Sequence, residues 1–205
     1  MNKSLLGCLG VLVLGALIIG AWAVSKYNAL VPLSQAVDAQ WAQVQNVYQR
    51  RADLIPNLVK TVEGAANFEK STLTDIVNAR ASVGQVKIDA SKAPDAETLQ
   101  KFQQAQDGLS SALSRLLVVV ERYPDLKSNQ NFLNLQSQLE GTENRISVER
   151  GRFNDAVQRY NTAQKSFPAV IFAGMFGHTV RPYFTATAGS DKPPTVQFDF
   201  GKKSP

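Results

Sequence analysis

Very little in this chain of 205 residues is equipped for chemistry. Its one cysteine, Cys8, rules out an intramolecular disulfide and stands inside an apolar run, so no usable thiol nucleophile is present. Its one histidine, His178, excludes a His-rich metal site. The glycines are isolated, which leaves no phosphate-binding loop and no dinucleotide fingerprint, and no G-x-S-x-G elbow occurs. Charge is not massed either. Lys and Arg total 22 against 17 Asp and Glu, a dispersed net of +5, and the nearest approach to a basic run is Lys202-Lys203. That pattern excludes a nucleic-acid footprint. A hydrolase built on His178 lacks an orienting third group, so His178, between Gly177 and Thr179, reads as an ordinary loop histidine.

What the chain does have is a run of twenty uncharged, apolar residues from Leu5 to Val24. As a helix rising about 1.5 Å per residue it spans about 30 Å, the thickness of a bilayer's hydrocarbon core. Trp22, Lys26 and Tyr27 stand where interfacial aromatics and a snorkelling lysine flank a spanning helix. A cleaved signal peptide is the rival, with Lys3 as its charged start and Ala21-Trp22-Ala23 as a small-x-small site. Secretory apolar regions run about 7–15 residues, so the length favours a retained anchor. Lipidation of Cys8 would need an apolar stretch before it, and only Leu5 to Gly7 precede it. Lys3 and Lys26 balance each other, so charge leaves the orientation open.

Beyond the anchor, apolar residues recur at alternating steps of four and three. A first seam runs Val37, Trp41, Val44, Tyr48, Arg51, Ile55, Leu58, Val62, Ala65, Glu69, Thr72, Ile76, apolar except at Arg51, Glu69 and Thr72. It predicts one amphipathic helix from about Pro32 to Ala81. Pro56 lies within it and removes a backbone hydrogen bond, yet the phase persists across it, so a kink rather than a break is expected. Val83 to Asp95 reads as a connection. A second helix carries Leu99, Phe102, Gln106, Leu109, Leu113, Leu116, Val120 and Tyr123, ending before Pro124. A third carries Phe132, Leu135, Leu139, Thr142, Ile146, Glu149, Phe153, Ala156, Tyr160, Ala163 and Phe167. The short link around Pro124 makes these two antiparallel neighbours.

The expected fold is therefore all-α, an N-terminal transmembrane helix followed by an elongated antiparallel three-helix bundle with a short extended C-terminal tail. Residues 1–26 form the anchor, 27–167 the bundle and 168–205 the apolar segment and tail. A first helix of some 50 residues reaches about 75 Å outward, and an up-down-up course puts Ala169 to Phe176 at the membrane-distal end. Tyr183 to Ala188 and Thr195 to Phe200 read as extended pieces around a turn at Gly189 to Pro194. On this reading the tail is separable from the bundle and meets a partner protein.

The charges on the seams stand out. Arg51, Glu69 and Glu149 either snorkel to water at a bundle edge or form buried pairs that set helix register, with Arg51–Glu149 as one candidate. Two seam acids without inward histidines are too few for a metal site in a bundle core. No catalytic, cofactor-binding or metal-binding residue is therefore assigned.

Several stretches carry a specific resemblance. Tyr27-Asn28-Ala29-Leu30-Val31, Trp41, Gln45 and Tyr48-Gln49-Arg50-Arg51-Ala52-Asp53-Leu54-Ile55-Pro56-Asn57-Leu58-Val59 resemble the signature of the bacterial LemA family. The likeness continues at Ala79-Arg80, Glu121-Arg122-Tyr123-Pro124-Asp125-Leu126-Lys127, Asn131-Phe132, Glu143-Asn144-Arg145-Ile146, Arg152-Phe153-Asn154 and Tyr160-Asn161. The resemblance implies an N-terminally anchored protein of the bacterial plasma (inner) membrane, single-pass, with a helical-bundle domain on the cytoplasmic side. No enzymatic activity is established for that family, so the resemblance bears on fold and location far more than on function, and no cofactor is assigned. The expected function is that of a non-enzymatic scaffold or interaction protein of the cell envelope with a protein partner, binding neither nucleic acid nor an identified small molecule. The alternative is a regulator or accessory subunit of a membrane enzyme such as a membrane protease.

Overall fold

The structure, a computed structural model, describes residues 3–64, 68–89, 91–167, 169–174 and 176–185. The described residues are helical throughout their regular elements: α1 (Lys3–Glu63), α2 (Lys70–Gln85), α3 (Ala96–Val120), α4 (Pro124–Lys127), α5 (Gln130–Lys165) and α6 (Ala169–Ala173). The apolar run and the first seam as far as Val62 share one uninterrupted helix, α1, with Pro32 and Pro56 inside it.

Pro56 does not end the helix, as its phase indicated. Because Pro56 offers no N–H, the carbonyl four residues earlier, that of Ala52, loses its helical donor. Arg80 of α2 supplies the missing bond, Nε donating to the Ala52 carbonyl at 3.1 Å. Arg80→Met should therefore cost about 1 kcal/mol, and less than that in a Pro56→Ala background, where the backbone again bonds to Ala52. A double-mutant cycle by urea denaturation measures that coupling; additive costs would show that Arg80 does not serve the proline.

The expected single helix from Pro32 to Ala81 is two helices. α1 stops at Glu63 before Gly64, and α2 starts at Lys70; Ala65 of the seam lies outside the described residues. Phe68 turns inward between the two helices and packs its ring 5.0 Å from that of Tyr123. Ile55, Leu58 and Val62 of α1 share one core with Leu73 and Ile76 of α2. A straight helix would carry Ile76 about 21 Å past Val62, at about 1.5 Å per residue, away from that core. Folding back buries it. The seam kept its phase because both helices face the same cluster, not because the backbone is continuous.

The extra turn changes the course of everything after it. The distal core joins the end of α1 and the start of α2 to Leu109–Val120 of α3, Leu126 of α4 and Phe132 of α5. A second core joins Val37, Trp41, Val44 and Tyr48 of α1 to Leu99 and Phe102 at the start of α3 and Ile146 to Tyr160 of α5. The chain therefore runs out along α1, back along α2, out along α3 and back along α5. Asp95 caps α3 by accepting from the Thr98 N–H at 2.8 Å, and Asn129 caps α5 by accepting from Asn131 and Phe132. α5 lies closest to α1, and α2 to α3. The end of α5 consequently returns to the end of the apolar run, where Ala163 and α6 meet Leu30. This overturns the expected course, which put Ala169 to Phe176 at the end of the bundle farthest from the apolar run.

Candidate functional site

The most unusual buried group is Arg51, 1% exposed in the last quarter of α1. Its place on the seam points it inward between α3 and α5, and each terminal nitrogen meets two acceptors there. Nη1 donates to Ser110 Oγ and to Glu143 Oε2, both at 2.8 Å. Nη2 donates to the carboxamide oxygen of Gln106 and, at 3.4 Å, to its backbone carbonyl. The guanidinium also lies 5.1 Å from the centre of the Tyr48 ring. The two terminal nitrogens are thus matched by a carboxylate and neutral acceptors, as a desolvated charge requires, while Nε is buried without a hydrogen-bond partner among the described residues.

Of the two readings of the seam charges, Arg51 follows the paired one, but its acid is Glu143, whose side chain is 56% exposed, so only the cation is buried. Glu149 instead accepts from Gln40 Nε2 at 2.6 Å and from Arg152 Nη1 at 2.9 Å. Glu69 is half-exposed and pairs with Arg122 at 2.9 Å, a surface bridge. Glu143 stands one residue off the third seam, beside the buried Thr142, and reaches Arg51 from the exposed edge of α5. The outer side of the Arg51–Glu143 pair opens on a groove of about 260 Å³ walled by Leu58, Leu113, Leu117 and Leu139. Both terminal nitrogens being spent on internal acceptors, Arg51 organises the bundle and leaves none of those bonds for a substrate anion.

A second polar system was missed in sequence reasoning. Residues 178–185 run extended beside α5, and α5 holds their backbone with side-chain amides. Asn154 Nδ2 donates to the Phe184 carbonyl at 3.0 Å while its Oδ1 accepts from the Phe184 N–H at 2.9 Å. Asn161 does the same at Arg181, at 2.8 and 2.9 Å. Gln164 donates to the His178 carbonyl, and Gln103 of α3 to that of Thr185. The amides stand in for a neighbouring strand, satisfying a segment that has no ladder of its own. Phe184 then enters the second core, its ring 5.4 Å from Phe153 and 6.1 Å from Trp41. The available signal was the seven-residue interval from Asn154 to Asn161, which puts two amides on one stripe beside the seam.

Arg181 ties this segment to α1. Its guanidinium lies 3.7 Å from Asp38 Oδ1, donates to the Ala93 carbonyl at 3.3 Å, and sits 5.9 Å from the Tyr160 ring centre. His178 Nδ1 meets Tyr160 Oη at 3.1 Å, and its backbone N–H bonds to the carbonyl of Ala173 at 2.9 Å. Its role is to close the turn after α6, consistent with a loop histidine. Residues 186–205, including the expected strand Thr195 to Phe200 and the turn before it, lie outside the described residues. Among the described residues no group of three His, Cys, Asp or Glu side chains is placed to hold a metal ion.

Burial raises the Tyr48 hydroxyl above its ordinary value of 10.0, against the opposing pull of Arg150 and Arg51. A raised folded value means the neutral phenol is favoured in the fold. Its contribution is present in full below pH 10.0 and is lost as pH rises through the folded value. Stability measured by urea denaturation should therefore fall more steeply above pH 10.0 in the native chain than in Tyr48→Phe. Parallel curves would place the alkaline loss elsewhere.

Comparison with known proteins agrees with this architecture. The profile of the LemA family matches residues 40–198. Magnetosome protein MamQ of Magnetospirillum gryphiswaldense is 26% identical over 188 residues, covering 82% of this chain and 68% of that protein. Magnetosome protein MamQ 2 of Paramagnetospirillum magneticum matches to the same extent. Protein LemA of Metamycoplasma hominis is 23% identical over 149 residues, covering 73% of this chain and 61% of its own.

Proposed function

The chain belongs to the LemA family and is a membrane-associated helical protein, and from that premise we propose that it is a non-enzymatic interaction protein of the bacterial cell envelope. Leu5 to Val24 cross the plasma (inner) membrane once and hold the bundle beside it, on the cytoplasmic side. The observation that carries this reading is the commitment of Arg51. This buried cation, which could have polarised a substrate, is bonded to Gln106, Ser110 and Glu143. Its position in the bundle interior serves shape, and a shape-keeping core suits a protein that presents surfaces to a partner. Relatives named as magnetosome proteins support a role at a membrane.

Photo-reactive side chains placed along the Arg51 groove, at Ser114 and Leu117, test this in intact membranes. The expected result is a discrete adduct with another envelope protein, from a chain that resists alkaline carbonate extraction and keeps its apolar run by intact mass. A mature chain beginning near Val24, or cross-linking confined to nearby lipid and solvent, would overturn it.

A further inference from the structure

The return of α5 to the anchor leaves an apolar surface in an unusual place. α6 turns Ala169 and Ala173, one helical turn apart, onto Leu30 of α1, and all three are buried. Its other face is not covered. Val170 is 49% and Ile171 56% exposed, with Phe167 at 79% before the helix and Phe176 at 46% after it. Gly177, at φ +74°, takes the left-handed conformation that lets the chain reverse there. The reversal sets the Phe176 ring 5.2 Å from that of Tyr27 and the His178 ring 5.5 Å from it.

The height of this surface follows from α1. Tyr27 lies three residues and Leu30 six residues beyond Val24, about 5 and 9 Å along the helix axis. The polar layer of one leaflet is about 5–8 Å deep, and interfacial helices bury their apolar faces about 5–10 Å into the headgroup–acyl boundary. The exposed side chains of α6 and Phe176 therefore stand at headgroup level, beside the point where α1 leaves the hydrocarbon. A protein covering them would need to fit between the base of the bundle and the lipid surface. The bilayer is already there.

We propose that Phe167, Val170, Ile171 and Phe176 form a foot that inserts into the interface of the same bilayer that α1 spans. The bundle then has two attachments, a spanning helix and an interfacial wedge. Two attachments restrict its tilt and rotation, which a single helix leaves free. The proposal rests on Leu5 to Val24 crossing the membrane, so its test measures both.

The full chain, with Cys8→Ser, is reconstituted into phosphatidylcholine–phosphatidylglycerol vesicles after labelling at Ile171→Cys with an environment-sensitive fluorophore. Val170→Cys is the second variant should the first misfold. Nitroxide-bearing lipids, labelled either near the headgroup or near the chain end, act as quenchers. Val118→Cys, far along α3 and 71% exposed, is the aqueous control, and Leu14→Cys in the apolar run is the membrane control. The foot predicts blue-shifted emission at residue 171, with quenching by the shallow nitroxide several times that at residue 118. The deep nitroxide should quench residue 171 less than the shallow one and quench residue 14 most. If residue 14 is quenched and residue 171 behaves like residue 118, the foot is wrong and the anchor stands. If residue 14 is not quenched, the anchor fails and the foot with it. Shielding of residue 171 from aqueous iodide without quenching by labelled lipid would mean that a second copy or another protein covers it, which also overturns the proposal.

Discussion

Replacing Arg51 with alanine should destabilise the bundle by about 3–5 kcal/mol, the range for emptying a large core site or breaking a buried charged network. The substitution removes a side chain that is almost wholly enclosed and leaves the Gln106 carboxamide, 3% exposed, without its donor. Glu143 suffers least, because its side chain is 56% exposed and turns to water. Glu143→Gln should for that reason cost only about 1–2 kcal/mol, as Arg51 keeps Ser110 and Gln106. Arg51→Met with Gln106→Leu should recover much of the loss, since a partnerless polar group is worse than an apolar pair of similar volume. In double-mutant cycles Arg51 should couple to Glu143 and not to Glu149. Urea denaturation with an unchanged slope checks each value. A cost for Arg51→Ala below about 1 kcal/mol, the worth of an exposed ion pair, would mean that the guanidinium is reached by water.

Phe184→Ala should cost a similar amount, about 3–5 kcal/mol, although it lies in a segment that sequence reasoning treated as separable. The ring is 5% exposed, packs on Trp41 and Phe153, and carries the Arg150 guanidinium 4.7 Å from its centre. Losing it opens a cavity in the second core and weakens the hold of Asn154 on the backbone beside it. Tyr183→Ala, one residue earlier and 42% exposed, should stay within about 0.5 kcal/mol. Ending the chain after Phe167 should accordingly unfold the membrane-proximal half, not merely remove an appendage. Thermal unfolding of the two point variants and the truncation distinguishes these outcomes. A truncated chain as stable as the whole would show that residues 178–185 rest on the bundle without supporting it.

The contrast between Arg51 and Phe184 shows what the sequence made legible. Arg51 stood out because it interrupts an apolar repeat, and periodicity exposes any residue of the wrong kind on a buried stripe. Phe184 has no repeat around it. Its burial depends on Asn154 and Asn161, which by themselves look like ordinary polar positions of an exposed helix face. Glu143 has no such mark either, because it stands off the buried stripe, beside Thr142, and meets Arg51 from an exposed edge. Spacing along one helix marks the residues on a stripe, but a long side chain such as Arg51 also reaches acceptors at the stripe's edge, and only the packed helices show which.

The sequence by itself determined that the chain is helical, that one end is apolar enough to cross a bilayer, and which stripe of the long helices α1, α3 and α5 is buried. These are properties of neighbours along the chain, read from steps of three and four and from a run of uncharged residues. Only the tertiary structure decided how many times the chain turns. The turn between Glu63 and Lys70 adds a leg, and each added leg reverses the direction of every helix after it. One reversal carries α5 back to the apolar run, puts α6 on Leu30, and draws Phe184 into the core. A seam looks the same whether the helix continues or folds back onto the same core, because burial is set by the face and not by the direction of the chain.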